Sequence, residues 1–344
     1  MHPDETGIPS RKRVKRAGDA VRVGQATFED KEIIDQWRAA HRAVLNTFQA
    51  LLRTRARGHK IIVAQRHKRI ATIFDKLRRF PQMNLARMDD IVGCRLIFQD
   101  LDELWDFRAK MHQARFNHRL KNDYEKYDYI VHPKETGYRG IHDVYEYHAN
   151  SVMGAILRGL SIEIQYRTRI QHAWATAVEV IGHIADSQPK FQRGDERYHR
   201  AMALASEILA RAHENKTACF PDKSNSDIVA EFLDINQSTS LLKLFKDLNS
   251  HSLHGSKFKN LILIIKPNSP IETRSFESAV AALKELFVLE KSMPGADLVL
   301  VRADSTGEVR DAFRNYFSDT TDFVRLIEDG CAKLSGLEIT PQLS

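Results

Sequence analysis

Four short runs rich in β-branched and aromatic residues, at 91–98, 127–131, 141–147 and 160–166, are each bounded by Gly, Pro, Asn or Asp. Runs of this length and composition read as strands. A segment with helical spacing at 104–116 separates the first two. Behind the last comes a helix over 169–184, with Ile170, Trp174, Ala177, Val178 and Ile181 on one stripe. Strands interleaved with helices in this way imply a mixed β-sheet flanked by helices, an α+β domain. Ahead of the sheet, Ile33, Ile34, Trp37, Val44, Leu45, Phe48, Leu51 and Leu52 recur at three- and four-residue spacing, the pattern of an amphipathic helix over 28–52. A second helix is expected over about 63–79, with Ile70, Ile73, Phe74 and Leu77 on its apolar side and Pro81 after it.

Beyond the sheet the periodicity predicts a helical connector, over 195–213 and 227–248. A smaller C-terminal α/β module follows, with strands at 261–265 and 297–301 and helices at 275–289 and 308–317. The expected division is a basic, disordered leader at 1–27, the sheet domain at 28–190, the connector at 191–254 and the module at 255–344. The leader carries Arg11, Lys12, Arg13, Lys15 and Arg16.

Charge narrows the partners. The chain has a formal net charge of +7, and ten basic residues between Arg53 and Arg79 face the single acid Asp75. Such a cluster suits an anionic partner. No apolar run approaches the roughly 20 residues that cross a bilayer, which argues against a membrane partner, and the N-terminus has no apolar signal core. Cys94, Cys219 and Cys331 lie far apart without zinc-ligand spacing. Three reduced cysteines fit a cytoplasmic protein.

Four segments carry groups capable of chemistry. In the strand at 160–166 and the residues just after it, alternation turns Ile162, Ile164 and Tyr166 to the core and leaves Glu163, Gln165 and Arg167 together on the other face. A carboxylate, an amide and a guanidinium on one face can bind a metal, orient a hydroxyl and meet a phosphate, although an ordinary solvent face has the same pattern. Asp90 stands at the start of an apolar strand that also contains Arg95; a strand-end carboxylate suits Mg²⁺, and a structural ion pair is the simpler alternative. Pro133 and Gly137 mark a loop that offers Lys134, Arg139 and His142 as donors and Tyr138 as a stacking ring. Arg66-His67-Lys68-Arg69 leads into the second helix, where cations and free backbone N–H groups can hold polyphosphate.

Taken in chain order, the segments resemble the synthetase domain of the RelA/SpoT family, the enzymes that make guanosine tetra- and pentaphosphate. The motifs are Arg66-x-Lys68 with Ile73 and Lys76, Asp90-Ile-x-Gly-x-Arg95, the stretch from Asp128 through Lys134, Tyr138 and Arg139 to His142, and Glu163-x-Gln165-x-Arg167-Thr168, followed by a helix with Trp174 and Glu179. The resemblance covers about residues 35–185 and implies a nucleotidyltransferase-like fold. It implies that Arg66, Lys68 and Lys76 hold ATP phosphates with Arg95 near the adenine, and that Asp90 and Glu163 bind Mg²⁺. Glu163 would take the proton of the attacking 3′-hydroxyl, with Gln165 and Arg167 in support. Lys134, Arg139 and His142 would hold acceptor phosphates, and Tyr138 would stack on the acceptor base. The reaction implied moves the β,γ-pyrophosphate of ATP to GDP or GTP.

Two departures stand out. The loop reads Tyr-Arg-Gly-Ile-His where the family commonly has Tyr-Arg-Ser-Leu-His, and Tyr166 replaces a usual aliphatic residue. The residues before Arg66 are too few for the family's hydrolase domain, so the resemblance is to a small, synthetase-only member. Three readings follow: alarmone synthesis, with a trigger or inhibitor acting through the C-terminal module; a toxic synthetase that pyrophosphorylates the 3′ end of tRNA and is held in check by that module; and an inactive nucleotide sensor.

Overall fold

The computed structural model describes residues 7–187, 196–248, 260–265, 272–293, 296–302 and 320–336. Its first element corrects an expectation. The basic leader contains a helix, α1 (Arg11–Arg22), capped by Ser10, with Val14, Ala17 and Val21 buried against α2 (Phe28–Ala56). The apolar positions follow helical spacing, but the surrounding charge hides them in a composition count. Gly18 allows the close approach: a Cβ there would lie 2.8 Å from Leu85, in the turn Leu85–Arg87. Thr27 and Asp30 start α2 with a reciprocal capping box.

The expected second helix divides in two. Ile62–His67 is a strand, β1, and only Ile70–Arg79 is helical (α3). Apolar residues at helical spacing begin at Ile70, whereas Val63 and Ala64 are bracketed by a sheet partner. β1 pairs antiparallel with β2 (Val92–Phe98). Next come α4 (Leu101–His112), β3 (Arg119–Leu120), β4 (Ile141–Glu146), α5 (Val152–Ile156), β5 (Ser161–Thr168) and α6 (Arg169–Ser187). The strand expected at 127–131 is a series of turns. The Asp128 carboxylate accepts from the backbone N–H groups of Ile130 and Val131, which bends the chain after a single bridge to Ile141.

The five strands lie in the order β1-β2-β5-β4-β3, with β2 and β5 parallel and the other pairs antiparallel. One face packs on α2 and α4, with Ile162, Ile164 and Tyr166 fully buried in a core that includes Phe48, Leu52 and Leu104. Tyr166 stacks on Phe98 at 6.2 Å, so the unusual aromatic fills core space rather than the cleft. The same core contains one polar knot. Arg108 Nη2 donates to Asp143 at 2.8 Å and to the Tyr124 carbonyl at 2.6 Å, and His112 lies 2.7 Å from the other Asp143 oxygen.

A second core joins α6 to α7 (Glu196–Glu214), α8 (Asn225–Thr239), α9 (Leu241–Leu248) and α11 (Thr321–Leu334). The C-terminal region therefore splits, because α11 packs with the connector helices. The remainder is a three-stranded antiparallel sheet, β7-β6-β8, of β6 (Asn260–Ile265), β7 (Glu272–Phe276) and β8 (Asp297–Arg302), packed on α10 (Ala279–Ser292). The last two residues of β7, Ser275 and Phe276, occupy positions that were expected to be the start of the helix. The helix expected at 308–317, and the boundaries at 190 and 254, lie outside the described residues. Among the described residues no helix is long and apolar enough to cross a membrane.

The buried face of α1 gives a direct test. Val14→Asp places a carboxylate in the core and should destabilise the protein by about 2–4 kcal/mol. Val23→Asp, at an exposed position, should change stability by less than about 0.5 kcal/mol. Urea denaturation of both variants measures the difference.

Candidate active site

Strand register assembles the site. Arg66, Gly93 and Glu163 stand side by side across β1, β2 and β5, and the next row contains Arg95, Gln165 and His142. Alternation puts both rows on the sheet face opposite the core. Gly93 sits between Arg66 and Glu163, and a Cβ there would come within 2.9 Å of the Glu163 carbonyl. The missing side chain lets β2 and β5 pair closely and leaves the floor of a cleft open. That cleft is lined by Arg66, Lys68, Asp90, Arg95, Glu163 and Gln165.

On the β1 side, Lys68 Nζ lies 2.7 Å from Asp90 and Lys76 Nζ lies 3.0 Å from both of its oxygens. Burial opposes the Asp90 charge, but these two ammonium groups outweigh it and hold the carboxyl below its ordinary range. Burial also pulls the Lys68 ammonium down, and Asp90 offsets this only in part. Arg95 is buried beside Glu179 of α6, 3.9 Å away.

On the β5 side the polar residues form a chain. Gln165 donates to Glu163 at 2.7 Å and accepts from Arg167 at 3.3 Å, and Arg167 also donates to the Tyr138 hydroxyl at 3.2 Å. His142 bridges the two ends, with Nδ1 3.0 Å from Glu163 and Nε2 2.5 Å from Tyr138 Oη. Burial works against ionisation of both His142 and Glu163, but Tyr138 and then Glu163 outweigh it at the imidazole, and His142 outweighs it at the carboxyl. The imidazole is raised to about 9 and the carboxyl lowered to about 2. In this state the His142 nitrogens face protein groups, where an acceptor phosphate was expected. Lys134 is exposed, with Nζ 4.3 Å from the centre of the Tyr129 ring and 5.4 Å from that of Tyr138.

Arg139 requires a correction. Expected to hold acceptor phosphate, it is buried in an ion pair with Glu214 at the end of α7. Glu214 also accepts from Thr168 and Gln171, which ties the loop to the end of β5 and the start of α6. The loop is docked on α7 a second time, through Ser206 and the Gly137 carbonyl, and a Cβ on Gly137 would lie 2.9 Å from Ser206. Glu214 lies some 75 residues beyond the loop in sequence, and no local pattern marks it. Tyr129 was also missed as a site residue, although it stands beside Asp128 in the quoted motif.

The region found in RelA and SpoT proteins matches residues 65–182, from β1 through α6. GTP pyrophosphokinase YjbM of Bacillus subtilis is 30% identical over 173 residues, which span 48% of this chain and 79% of that protein. The chain belongs to the RelA/SpoT family. Similar solved structures include the small alarmone synthetase 1 from Bacillus subtilis (28% identity, 50% of this chain and 88% of that one, TM-score 0.41). A GTP pyrophosphokinase family protein from Streptococcus pneumoniae matches over 60% of this chain and 98% of its own, with 24% identity and a TM-score of 0.43. Helices α7 to α11 and the β7-β6-β8 sheet lie outside the matched family region.

Two predictions follow from the site's geometry. Glu214→Ala leaves Arg139 as an uncompensated buried charge and should cost about 3–5 kcal/mol of stability in chemical denaturation. The His142 pair predicts a pH dependence. Its raised imidazole stabilises the fold fully below about 6.5, and this contribution declines as pH rises through about 9. Denaturation midpoints measured between pH 6 and 8, below the range where the Tyr138 phenol, lowered to about 8, adds the opposite trend, should therefore fall, with a flatter profile for His142→Gln.

Proposed function

We propose that this chain catalyses Mg²⁺-dependent transfer of the β,γ-pyrophosphate of ATP to the 3′-hydroxyl of GDP or GTP, releasing AMP. The observation that carries the reading is one sheet face on which Asp90 and Glu163 line the same cleft as Arg66, Lys68 and Arg95. The printed name of the Bacillus subtilis relative, a GTP pyrophosphokinase, supports a guanine nucleotide as acceptor.

In this reading Arg66, Lys68 and Lys76 receive the ATP phosphates, and Arg95 lies near the adenine. Two ionised carboxylates on one cleft fit Mg²⁺, a hard cation bound through one or two carboxylates together with substrate phosphates. Among the described residues no group of three or more acidic, His or Cys ligands forms a self-sufficient metal cage. When bound there, the ion would neutralise charge on the transferred group. Tyr138 and Lys134 receive the acceptor base and phosphates. Glu163 takes the proton of the attacking hydroxyl. A carboxyl held near 2 by His142 is a weak base at rest. Acceptor phosphates that draw the His142 imidazolium toward themselves would restore its basicity as the acceptor arrives. The remaining contribution is positioning of two nucleotides in line.

The tRNA reading is less well supported, because the basic cluster between Arg53 and Arg79 suits any polyanion and carries nothing specific to tRNA. The inactive-sensor reading is disfavoured by the presence of both carboxylates in the cleft.

The test is transfer of label from ATP to GDP, GTP or deacylated tRNA. Label is expected on the guanine nucleotides and should be lost when Mg²⁺ is chelated; label on tRNA alone would replace this reading. Glu163→Gln should lower turnover about 10²–10⁴-fold while ATP affinity stays within a few-fold.

A further inference from the structure

Arg38 of α2 is fully buried, and all five of its N–H donors have acceptors. Nε and Nη2 both donate to the Lys68 carbonyl, at 3.2 and 3.1 Å. The adjacent edge of the guanidinium, which shares Nη2, is gripped by Glu290 of α10, with Nη1 2.7 Å from Oε2 and Nη2 3.0 Å from Oε1. Nη1 also donates to Asp35 at 3.1 Å. Phe287, one turn before Glu290 on α10, covers the guanidinium at 4.8 Å from its ring centre. The Lys68 backbone is thus fixed from both sides, since its N–H donates to the Ile91 carbonyl at 2.9 Å. A side chain whose own backbone is held in this way can bring its ammonium reproducibly to Asp90.

Helix α10 therefore reaches the cleft from behind. Glu290 also accepts from the Ile70 N–H at the start of α3, at 3.4 Å. The lining of the cleft comes from β1, β2, β5 and the residues beside them, and α10 supplies none of it. A masking segment would have to stand in front of Arg66 and Glu163, whereas α10 lies against Arg38 and His67 at the edge of the sheet. His67 Nε2, 2.9 Å from the Arg38 carbonyl, ties the same junction once more.

We propose that Arg38 and Glu290 are positioning residues for Lys68, so that α10 supports the ATP side of the cleft. The inference rests on the proposed role of Lys68 toward ATP phosphates. Arg38 supplies a planar fork that a lysine cannot reproduce. Glu290 fixes the direction of that fork, because a carboxylate matches it with two parallel bonds.

The test uses the full chain and reads binding and turnover separately. Glu290→Ala is expected to raise the KM for ATP about tenfold and to weaken binding of a non-hydrolysable ATP analogue equally. kcat and the KM for the acceptor should stay within about twofold. Arg38→Lys should shift the same two quantities further. Glu285→Ala, which breaks an ion pair with Arg274 inside the C-terminal unit, should leave them unchanged. A merely structural role would lower kcat, or shift the constants for both substrates together. Unchanged ATP binding in Glu290→Ala, or a gain of activity, would overturn the proposal. If Glu290→Ala does not fold, Glu290→Gln keeps the length and one acceptor oxygen, and should give an intermediate rise in the ATP constant; no rise there would count equally against it. Absence of transfer by the unaltered chain would instead sink the functional reading, and the analogue titration would still report on Arg38 and Glu290.

Discussion

The parallel contact between β2 and β5 at Gly93 is the constraint on which the site depends. It sets Glu163 directly beside a residue without a side chain. A larger residue would push the strands apart and fill the floor of the cleft between Arg66 and Glu163. Because sheet pairing is periodic, this one register also decides which residues of β1 and β4 share the face. Arg66 comes to one side of Gly93, and His142 lies opposite Gln165 one row along. A slip of one residue would turn the whole set into the core.

Charge is handled differently on the two sides of the cleft. Asp90 is balanced by two lysine ammonium groups, which places cations where a polyphosphate would lie and keeps the carboxylate ionised. Glu163 is balanced by one imidazolium, itself tied to a phenol and, through Arg167 and Gln165, back to Glu163. The first arrangement tolerates an incoming anion because lysine ammonium groups are flexible point charges. The second is a closed ring of hydrogen bonds, which an arriving acceptor has to open.

Both halves are held from outside the matched family region. The loop with Tyr138 is docked on α7 through Ser206, Arg139 and Glu214, and the Lys68 junction is held by Arg38 and Glu290. Buried ion pairs of this sort add little net stability but cost much when one partner is removed. That asymmetry makes them suited to fixing geometry. The helices beyond α6 and the small C-terminal sheet are thus continuous, in physical terms, with the site.

Much of the site was legible in the chain itself. Alternation along 160–166 separated Glu163, Gln165 and Arg167 from Ile162, Ile164 and Tyr166, because a strand's side-chain period is fixed by its backbone. The order of the motifs around Asp90, Tyr138 and Glu163 identified the family. What failed locally failed for identifiable reasons. The apolar stripe of α1 was masked by its charge, β1 borrowed its strand character from β2, and Asp128 turned a β-rich run into turns through its own side chain. Arg139 read as a phosphate ligand because its type suits one, whereas only the fold brings Glu214 to it. The sequence by itself thus determined which residue types face one another across short stretches and what chemistry they can perform. The tertiary structure alone decided which of those charges remain available in the cleft, since the ion pairs of Arg38 and Arg139 close over long sequence separations that no local pattern encodes.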